Sequence, residues 1–577
     1  MPDQMTGADI ICRVLEAEGV THLFGYPGGA IMPFYHALPD HPALRHILVR
    51  HEQAAAHAAD GWGRATGRPG VCVATSGPGA TNLVTGLACA MMDGSPLVAI
   101  TGQVPRALLG KDAFQETDIV GIALPITKHA VLVEDIGELA DRLHEAFRIA
   151  VDGRPGPVLV DIPKDVQQQR AAYVPPAARV APAAPVTTGL PTDEQWRAIT
   201  AMLDMAERPL ILAGRGVLQA GAEAELARLA ERTQIPVVCT LLGLTALPEG
   251  HPQLLGMPGM HGEVHVNRAI QHADVILGVG LRFDDRVTGA TAHFAKHARI
   301  IHVDVDRSEI GKNVPVALGI ACDAKRFLGA LLQRQMPRSC DHWRAQVEAW
   351  RRTKQEEFRG GLAPERILQA IHAQSGGRAN VVADVGQHQM WVAKHYPWAQ
   401  PNSHFSSGGL GAMGFAVPAA MGVALARPGE PVWAISGDGG FQMNMQEMAT
   451  LVQERIPVKL AVFNNGYLGM VRQWQQAFHG GRYSSTPIWS PDYAKLAEAY
   501  GIRGVRVEHA DDLDAVLAES HATDGPCLVE FMIEEEANVL PMIPPGGSLS
   551  DALEEVPARP APAPARKAAP RRTVAAA

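Results

Sequence analysis

None of the seven cysteines (Cys12, Cys72, Cys89, Cys239, Cys322, Cys340 and Cys527) stands in a Cys-x-x-Cys pair. This excludes the common zinc and dithiol spacings. Because most of them lie inside apolar runs, reduced core thiols are expected rather than disulfides. No apolar run approaches the length of a membrane span. The N-terminal MPDQMTGADIICRVLEAEGV has no basic leader and no apolar signal core, and reads as an amphipathic helix. Positive charge is not in excess either: 51 Lys and Arg face 60 Asp and Glu, a net charge of −9, which argues against a nucleic-acid binder. No short-period repeat is present. These absences leave a soluble, cytoplasmic enzyme as the default, with no membrane and no nucleic-acid partner. At 577 residues, 47% hydrophobic and 19% charged, the chain is too long for one core.

Two stretches divide it. YVPPAARVAPAAPVTTGLP has almost no periodic apolar signal and reads as an extended linker, 173–191. MPRSCDHWRAQVEAWRRTKQEEFRGGLAPE reads as a polar helix ending in Gly-Gly, a connector over 337–364. The tail 556–577, rich in Pro, Ala and basic residues, is expected to be disordered. Three blocks remain: 1–172, 192–336 and 365–555. In each, strand-like runs alternate with helical patterns: GVCVAT and PLVAITG flank one helix, GATNLVTGLACAMMD, in the first. PLILAGRG, IPVVCT, DVILGVG and RIIHVDVD occur in the second, and NVVADVG, VWAISGDG, VKLAVFNN and CLVEFMI in the third. Alternation of this kind predicts an α/β protein of three doubly wound parallel-sheet domains.

The stretch ISGDGGFQMNMQEMATLVQERIPVKLAVFNNGYLGM carries the first chemistry. A Gly-Asp-Gly ends one apolar run, and Asn-Asn ends the next after an intervening helix. One strand–helix–strand unit brings both ends to the carboxyl edge of a parallel sheet, where ligands bind. A carboxylate at Asp438 and an amide oxygen at Asn465 are hard ligands suited to magnesium or calcium. Gly437, Gly439 and Gly440 leave room for a diphosphate beside the metal. A lone Gly-Asp-Gly is more often only a turn; the Asn-Asn at this spacing is what favours a metal–diphosphate site.

These motifs resemble the fingerprint of thiamine diphosphate enzymes. Over nearly all of residues 5–553 the chain is similar to the catalytic large subunit of the acetolactate synthase (acetohydroxyacid synthase) family. FGYPGGAIMPFY, RHEQAAAHAADG, TSGPGATNLVTG, DAFQETDIVGI, GMHG, GGLGAMGFAVPAA and LPMIPPGGSLSD carry the resemblance, and RFDDRVTG and GMVRQWQQAF carry it most specifically. It implies a pyrimidine-binding N-terminal domain, an FAD-binding central domain and a C-terminal domain for the diphosphate and Mg2+. It further implies that Glu52 acts on the pyrimidine ring, and that Phe114, Gln115 and Lys164 line the reaction pocket. Arg286 would orient the acceptor carboxylate, and Trp474 would contact the acceptor's alkyl group. Gln387, His388, Gly411, Met413 and Met470 would hold thiamine diphosphate, with Met413 wedged between its rings. Tyr467 would join Asp438 and Asn465 at the metal. Arg154, Arg215, Gly216, His261, Gly262, Arg282, Asp304, Asp306 and Asp323 would hold FAD, although neither GRGVLQAG nor GVGLRF fits G-x-G-x-x-G. The chain departs from the family after GMHG, where it reads EVHVN.

The implied reaction is decarboxylation of pyruvate and transfer of the hydroxyethyl unit to a second pyruvate or to 2-oxobutyrate, toward valine, leucine and isoleucine. Implied partners are further copies of the chain, as a homodimer or homotetramer with sites between chains, and a regulatory small subunit. The nearest alternative is an oxidoreductase of the pyruvate oxidase type, against which Arg286 and Trp474 weigh. Glyoxylate carboligases lack the glutamate that Glu52 supplies. RFDDRVTG and GMHG disfavour a flavin-free catabolic enzyme. Intact Glu52, Asp438 and Asn465 disfavour a catalytically silent partner protein.

Overall fold

Strands apolar on both faces need helices on both sides of a sheet, and a parallel sheet with crossover helices provides them. The computed structural model describes residues 4–173, 189–334, 340–351 and 362–556, and builds three parallel sheets of six strands each. The N-terminal sheet runs, edge to edge, Arg45–Leu48, His22–Gly25, Gly70–Ala74, Leu97–Gln103, Pro157–Pro163 and His129–Leu132. The C-terminal sheet runs His404–Ser406, Asn380–Ala383, Val432–Gly437, Val458–Asn464, Cys527–Met532 and Arg503–Val507. Counted along the chain within each domain, both have the order 2-1-3-4-6-5. The central sheet has the order 3-2-1-4-5-6: Leu254–Gly256, Val237–Cys239, Pro209–Ala213, Val275–Val279, Arg299–Asp304 and Leu318–Ala321. That is the doubly wound dinucleotide-fold order, with its reversal between the strands at Pro209–Ala213 and Val275–Val279. Leu97–Gln103 and Val458–Asn464 are buried along their whole length, as central parallel strands must be. Among the described residues no helix is long and apolar enough to cross a membrane. All seven cysteines are free, six of them buried.

The two domains of like topology meet through equivalent helices, Glu52–Thr66 and Ala416–Ala426, each following the second strand of its sheet. Alanine and glycine dominate both. A Cβ on Gly422 would stand 1.9 Å from the Ala58 carbonyl oxygen, and one on Gly61 would stand 2.2 Å from that of Ala419. The helices therefore touch backbone to backbone, and any larger residue at either glycine would force them apart.

The same N-terminal helix carries a buried ionic junction. Arg64 meets Asp60 with two hydrogen bonds, 2.6 Å from Nε and 2.7 Å from Nη2, and donates a third to Asp93 at 2.9 Å. Its Nη1 donates to the Ser406 carbonyl of the C-terminal domain at 2.7 Å. Asp93 in turn accepts the amides of Gly408 and Gly409 at 3.1 and 2.7 Å. From the central domain, Arg215 donates to the Asp93 carbonyl and the Ser95 hydroxyl, and Gln219 to the Gly94 carbonyl. Burial opposes ionisation of Asp60, but the Arg64 guanidinium outweighs it and holds the carboxyl below its ordinary range.

Three segments show features that the sequence pattern did not give. The run GATNLVTGLACAMMD is two helices, Pro78–Asn82 and Val84–Asp93, not one. The connector contains a helix, Asp341–Arg351, that docks on the central domain. Trp343 is buried there and donates to the Pro209 carbonyl at 3.1 Å. The end of the third block leaves its own sheet after Met532 and reaches the central core, where Ile543 and Leu549 are buried and the Ile543 amide bonds to Met260. In the last two cases a few apolar side chains outside the sheets found a neighbouring core. Most of the linker 173–191, part of the connector and the tail from 557 lie outside the described residues.

Replacing Arg64 by Met would leave two buried carboxylates without their cation, and breaking a buried pair from one side costs about 3–5 kcal/mol. Arg64→Met should therefore lower the thermal midpoint sharply at neutral pH. The difference from wild type should shrink as acid protonates Asp60, because a depressed carboxyl pKa stabilises only above the unfolded value and that contribution is lost as pH falls through the folded one. Calorimetric scans at neutral and acidic pH measure both effects.

Candidate active site

At the carboxyl edge of the C-terminal sheet, a cleft of about 500 Å3 opens between the loops after three neighbouring strands. It is lined by 385–388, Trp391, Met413, 437–440, Phe463, Asn465, 467–471 and Ile533. Asp438 follows the strand Val432–Gly437 directly and starts a short helix, Asp438–Asn444. The helix is broken by a 3-10 turn at Met445–Glu447 before Met448–Gln453, where the sequence pattern predicted a continuous one. Asp438 is 2% exposed. Its carboxylate accepts from the Gly439 amide at 2.9 Å and the Ser490 hydroxyl at 3.4 Å, while the Tyr493 hydroxyl donates to its carbonyl at 3.0 Å. Among the described residues no lysine or arginine pairs with it, and burial pushes its pKa up to about 6.

The two asparagines divide their work. Asn464, inside the strand, donates to Glu530 of the neighbouring strand at 2.7 Å and accepts the Gly466 amide at 3.1 Å, so it shapes the turn. Asn465 faces the cleft. Its Oδ1 accepts the Tyr467 amide at 3.2 Å, and its Nδ2 donates to Gln387 at 3.3 Å. An amide oxygen keeps a second lone pair, which is available to a metal.

His388 completes the opposite wall. It is buried, its Nε2 has no hydrogen-bond partner, and burial lowers its pKa to about 3. With the ring N–H held by the Asp384 carbonyl, the neutral imidazole keeps Nε2 as a free acceptor. A Cβ on Gly437 would stand 2.9 Å from His388 Nδ1, so only glycine fits between them. Met413, carried on the loop after the His404–Ser406 strand, lies near Gly439. The structure thus gathers Gln387, His388, Met413, Gly437, Asp438, Gly439, Gly440, Asn465, Tyr467 and Met470 into one cleft. Gly411 lies outside the lining, on the same loop, with φ +70°.

Sequence reasoning missed several lining residues: Val385, Gly386, Trp391, Leu468 and Gly469. It also missed Asp384, fully buried beneath the cleft, which accepts the amides of Gly414 and Ala416 at 2.9 and 3.1 Å. ADVG after the strand Asn380–Ala383 was the available signal, since it repeats the strand-end placement of Gly-Asp-Gly.

The remaining predicted residues, Trp474 of the same domain among them, stand apart from this lining. Glu52 opens the helix Glu52–Thr66, is 9% exposed, and accepts from Asn82 at 2.9 Å. A Cβ on Gly79 would approach its Oε1 to 3.2 Å. Phe114 is 88% exposed, and Gln115 beside it takes φ +60° with its backbone against Gly77. Lys164 starts the short helix after Pro157–Pro163. Arg286 is more than half exposed, with Met260 Sδ at 3.0 Å and the Asp285 carboxylate only at 3.9 Å. Trp474 has a buried, unpartnered Nε1 and an edge-on contact with Phe478 at 6.0 Å.

In the central domain, Gly214 and Gly216 meet Gly280 where the strand order reverses, and a Cβ on Gly216 would stand 2.6 Å from Gly280 Cα. Arg154 donates to the Met92 carbonyl and pairs with Glu309 at 3.1 Å. Burial beside Arg64 lowers the Arg215 pKa to about 10. Arg282 pairs with Asp284, Asp306 accepts from Ser308, and Asp323 caps the helix Ala324–Leu332. Asp304 is pushed up to about 7 by burial. His261, in the turn with Gly262, is buried with an unpartnered Nδ1.

Comparison with known proteins agrees with this layout. Residues 5–122, 196–331 and 384–531 match, in order, the N-terminal TPP binding domain, the central domain and the C-terminal TPP binding domain of thiamine pyrophosphate enzymes. An acetolactate synthase large subunit of Mycobacterium tuberculosis is 47% identical over 561 residues, covering 94% of this chain and 91% of its own. That of Corynebacterium glutamicum is 45% identical over 566 residues, 95% and 90%. A probable acetolactate synthase large subunit of Methanocaldococcus jannaschii is 45% identical over 569 residues, 96% of both chains.

A buried carboxylate without a cation destabilises the unliganded chain, so Asp438→Asn should raise its thermal midpoint, by up to roughly 3 kcal/mol at neutral pH. The same variant should lose the further stabilisation that magnesium with thiamine diphosphate gives wild type. Thermal scans with and without both additives measure the crossover.

Proposed function

This chain belongs to the acetolactate synthase large-subunit family of thiamine diphosphate enzymes, and we propose that it works with thiamine diphosphate, Mg2+ and FAD held by the residues described above. It is an acetolactate synthase: it decarboxylates pyruvate and transfers the hydroxyethyl unit to a second 2-oxo acid. The acceptor is pyruvate or 2-oxobutyrate, at the first common step toward the branched-chain amino acids, in the cytoplasm. The observation that carries this reading is the cleft lined by both Asp438 and Asn465, in a chain 47% identical to an acetolactate synthase over 94% of its length.

The cleft fits a metal–diphosphate. Asp438 is a buried carboxylate awaiting a cation, Asn465 has an oxygen to spare, and His388 Nε2 lacks a partner. Among the described residues no group of three or more His, Cys, Asp or Glu could hold a metal by itself. The remaining hard ligands therefore come from the diphosphate, and metal and cofactor bind as a unit. When bound, thiamine diphosphate supplies the nucleophilic carbon and the electron sink for decarboxylation. Glu52 shares a proton with the pyrimidine, in a setting where Asn82 fixes its carboxylate and Gly79 leaves no room for a side chain. The cleft lining is all C-terminal; as the family resemblance implies, a second copy of the chain would supply Glu52 from its N-terminal domain. The protein would then be a homodimer or homotetramer, with a regulatory small subunit as a further partner.

Arg286, loosely paired in the free chain, orients the acceptor's carboxylate. Trp474 contacts the acceptor's alkyl group. Gln115 hydrogen-bonds reacting oxygens, with Phe114 and Lys164 beside it. The central domain fits FAD: its strand order reverses at a glycine-only contact, and His261 is buried with an unpartnered Nδ1. No net redox change occurs, so the flavin's role is structural.

Assay of acetolactate from pyruvate, with and without added FAD, tests the reading, and absence of product with all three cofactors would overturn it. Glu52→Gln should slow turnover by about 10²–10⁴-fold, the range of a lost acid–base group. Magnesium–thiamine diphosphate should still bind, because Glu52 does not touch the metal. Calorimetry beside the kinetic assay separates the two.

A further inference from the structure

The metal-facing amide of Asn465 is useful only in one orientation, oxygen toward the cleft. Its own surroundings include a chain of amides leading away from the site. Gln387 Oε1 accepts from Asn465 Nδ2, while Gln387 Nε2 donates both to Gln473 Oε1 and to the Ala537 carbonyl, each at 2.8 Å. Gln473 is fully buried. Its Oε1 also accepts the Val539 amide, and its Nε2 donates to the Val539 carbonyl, again at 2.8 Å each. Backbone groups cannot exchange donor for acceptor. Val539 therefore fixes which end of Gln473 is oxygen, and Gln473, together with the Ala537 carbonyl, fixes Gln387. Gln387 then presents an acceptor to Asn465 Nδ2 while the Tyr467 amide donates to its Oδ1, and the two together hold its nitrogen inward and its oxygen outward.

We propose that Gln473 is a positioning residue for the metal site, fixing the Asn465 amide through Gln387 by means of the backbone at 537–539. The inference rests on the reading of Asp438 and Asn465 as the magnesium–diphosphate site. It also explains why the chain beyond Met532 passes under the cleft. Arg472, fully buried beside Gln473, ties down the same segment through the Ala537 carbonyl and Asn538, at 2.8 and 2.9 Å. Groups that orient a ligand without touching the metal alter metal affinity by about 10–100-fold.

The test is a double-mutant cycle read by calorimetry as magnesium affinity at saturating thiamine diphosphate, on the full chain. Gln473→Met removes the relay, and should weaken magnesium about tenfold. In the Asn465→Asp background both ligand oxygens are equivalent and need no turning, so the same change should weaken it less than about twofold, a coupling of the kind such cycles isolate. Should Gln473→Met fail to fold, Gln473→Asn withdraws the same contact from Gln387 while keeping an amide, with the same expectation. An unchanged affinity in the wild-type background, or an equal loss in both, would overturn the proposal. A wild-type chain that binds no magnesium with thiamine diphosphate would instead overturn the reading of the site on which it rests.

Discussion

Three domains that could each fold around their own sheet are held in one arrangement by a few buried charges. Arg64, on the helix shared between the N- and C-terminal domains, is 6% exposed and contacts Asp60, Asp93 and the Ser406 carbonyl. Two carboxylates and one guanidinium leave an excess negative charge in a buried place. Peptide amides of Gly408 and Gly409 and the nearby Arg215 offset it. Such a cluster is stable only when every lone pair is used, so it tolerates a single geometry. That geometry fixes the 406–413 loop, at whose end Met413 enters the cleft. The glycine-only approach of Glu52–Thr66 to Ala416–Ala426 is the steric counterpart of the same constraint.

Identical strand order in the first and third sheets has a chemical consequence. The two domains present loops of the same topology, and their sequences load those loops differently. One carries Glu52 at the start of a helix that follows its second strand. The other carries Asp438 and Asn465 after its third and fourth strands. On the proposed function, a proton-handling carboxyl and a metal-handling carboxylate are thereby kept on separate scaffolds. Each can have its own environment: Asp438 is buried without a cation, ready for a metal, while Glu52 is held by an amide. Sheets of one fold, brought together by packing, can build a site that neither contains.

Much of this was readable beforehand. Strands such as Pro209–Ala213 and Val275–Val279 are uninterrupted apolar runs, and Gly-Asp-Gly with Asn-Asn marked the cleft because strand ends and hard ligands coincide there. Short edge strands such as Leu254–Gly256 and His404–Ser406 carry too few residues for a period to show. Arg64 and Asp93 were invisible as a junction because their partners in the C-terminal domain, the Ser406 carbonyl and the Gly408 and Gly409 amides, are remote in sequence. Gln473 looked like any polar residue on an amphipathic helix. The docking of Trp343, Ile543 and Leu549 on the central domain depends on which core is nearest, and a one-dimensional pattern does not encode that.

The central claim is that the reaction site is assembled from the N-terminal domain of one chain and the C-terminal domain of another. Mixing two separately inactive chains, Glu52→Gln and Asp438→Asn, under conditions that exchange subunits tests it directly. If the site is shared, each mixed pair has one intact site, and random mixing restores activity to about a quarter of the wild-type value, as twofold symmetry requires. If each site is built within one chain, every site carries a defect, and a mixture that stays inactive while mixed dimers demonstrably form would contradict the account.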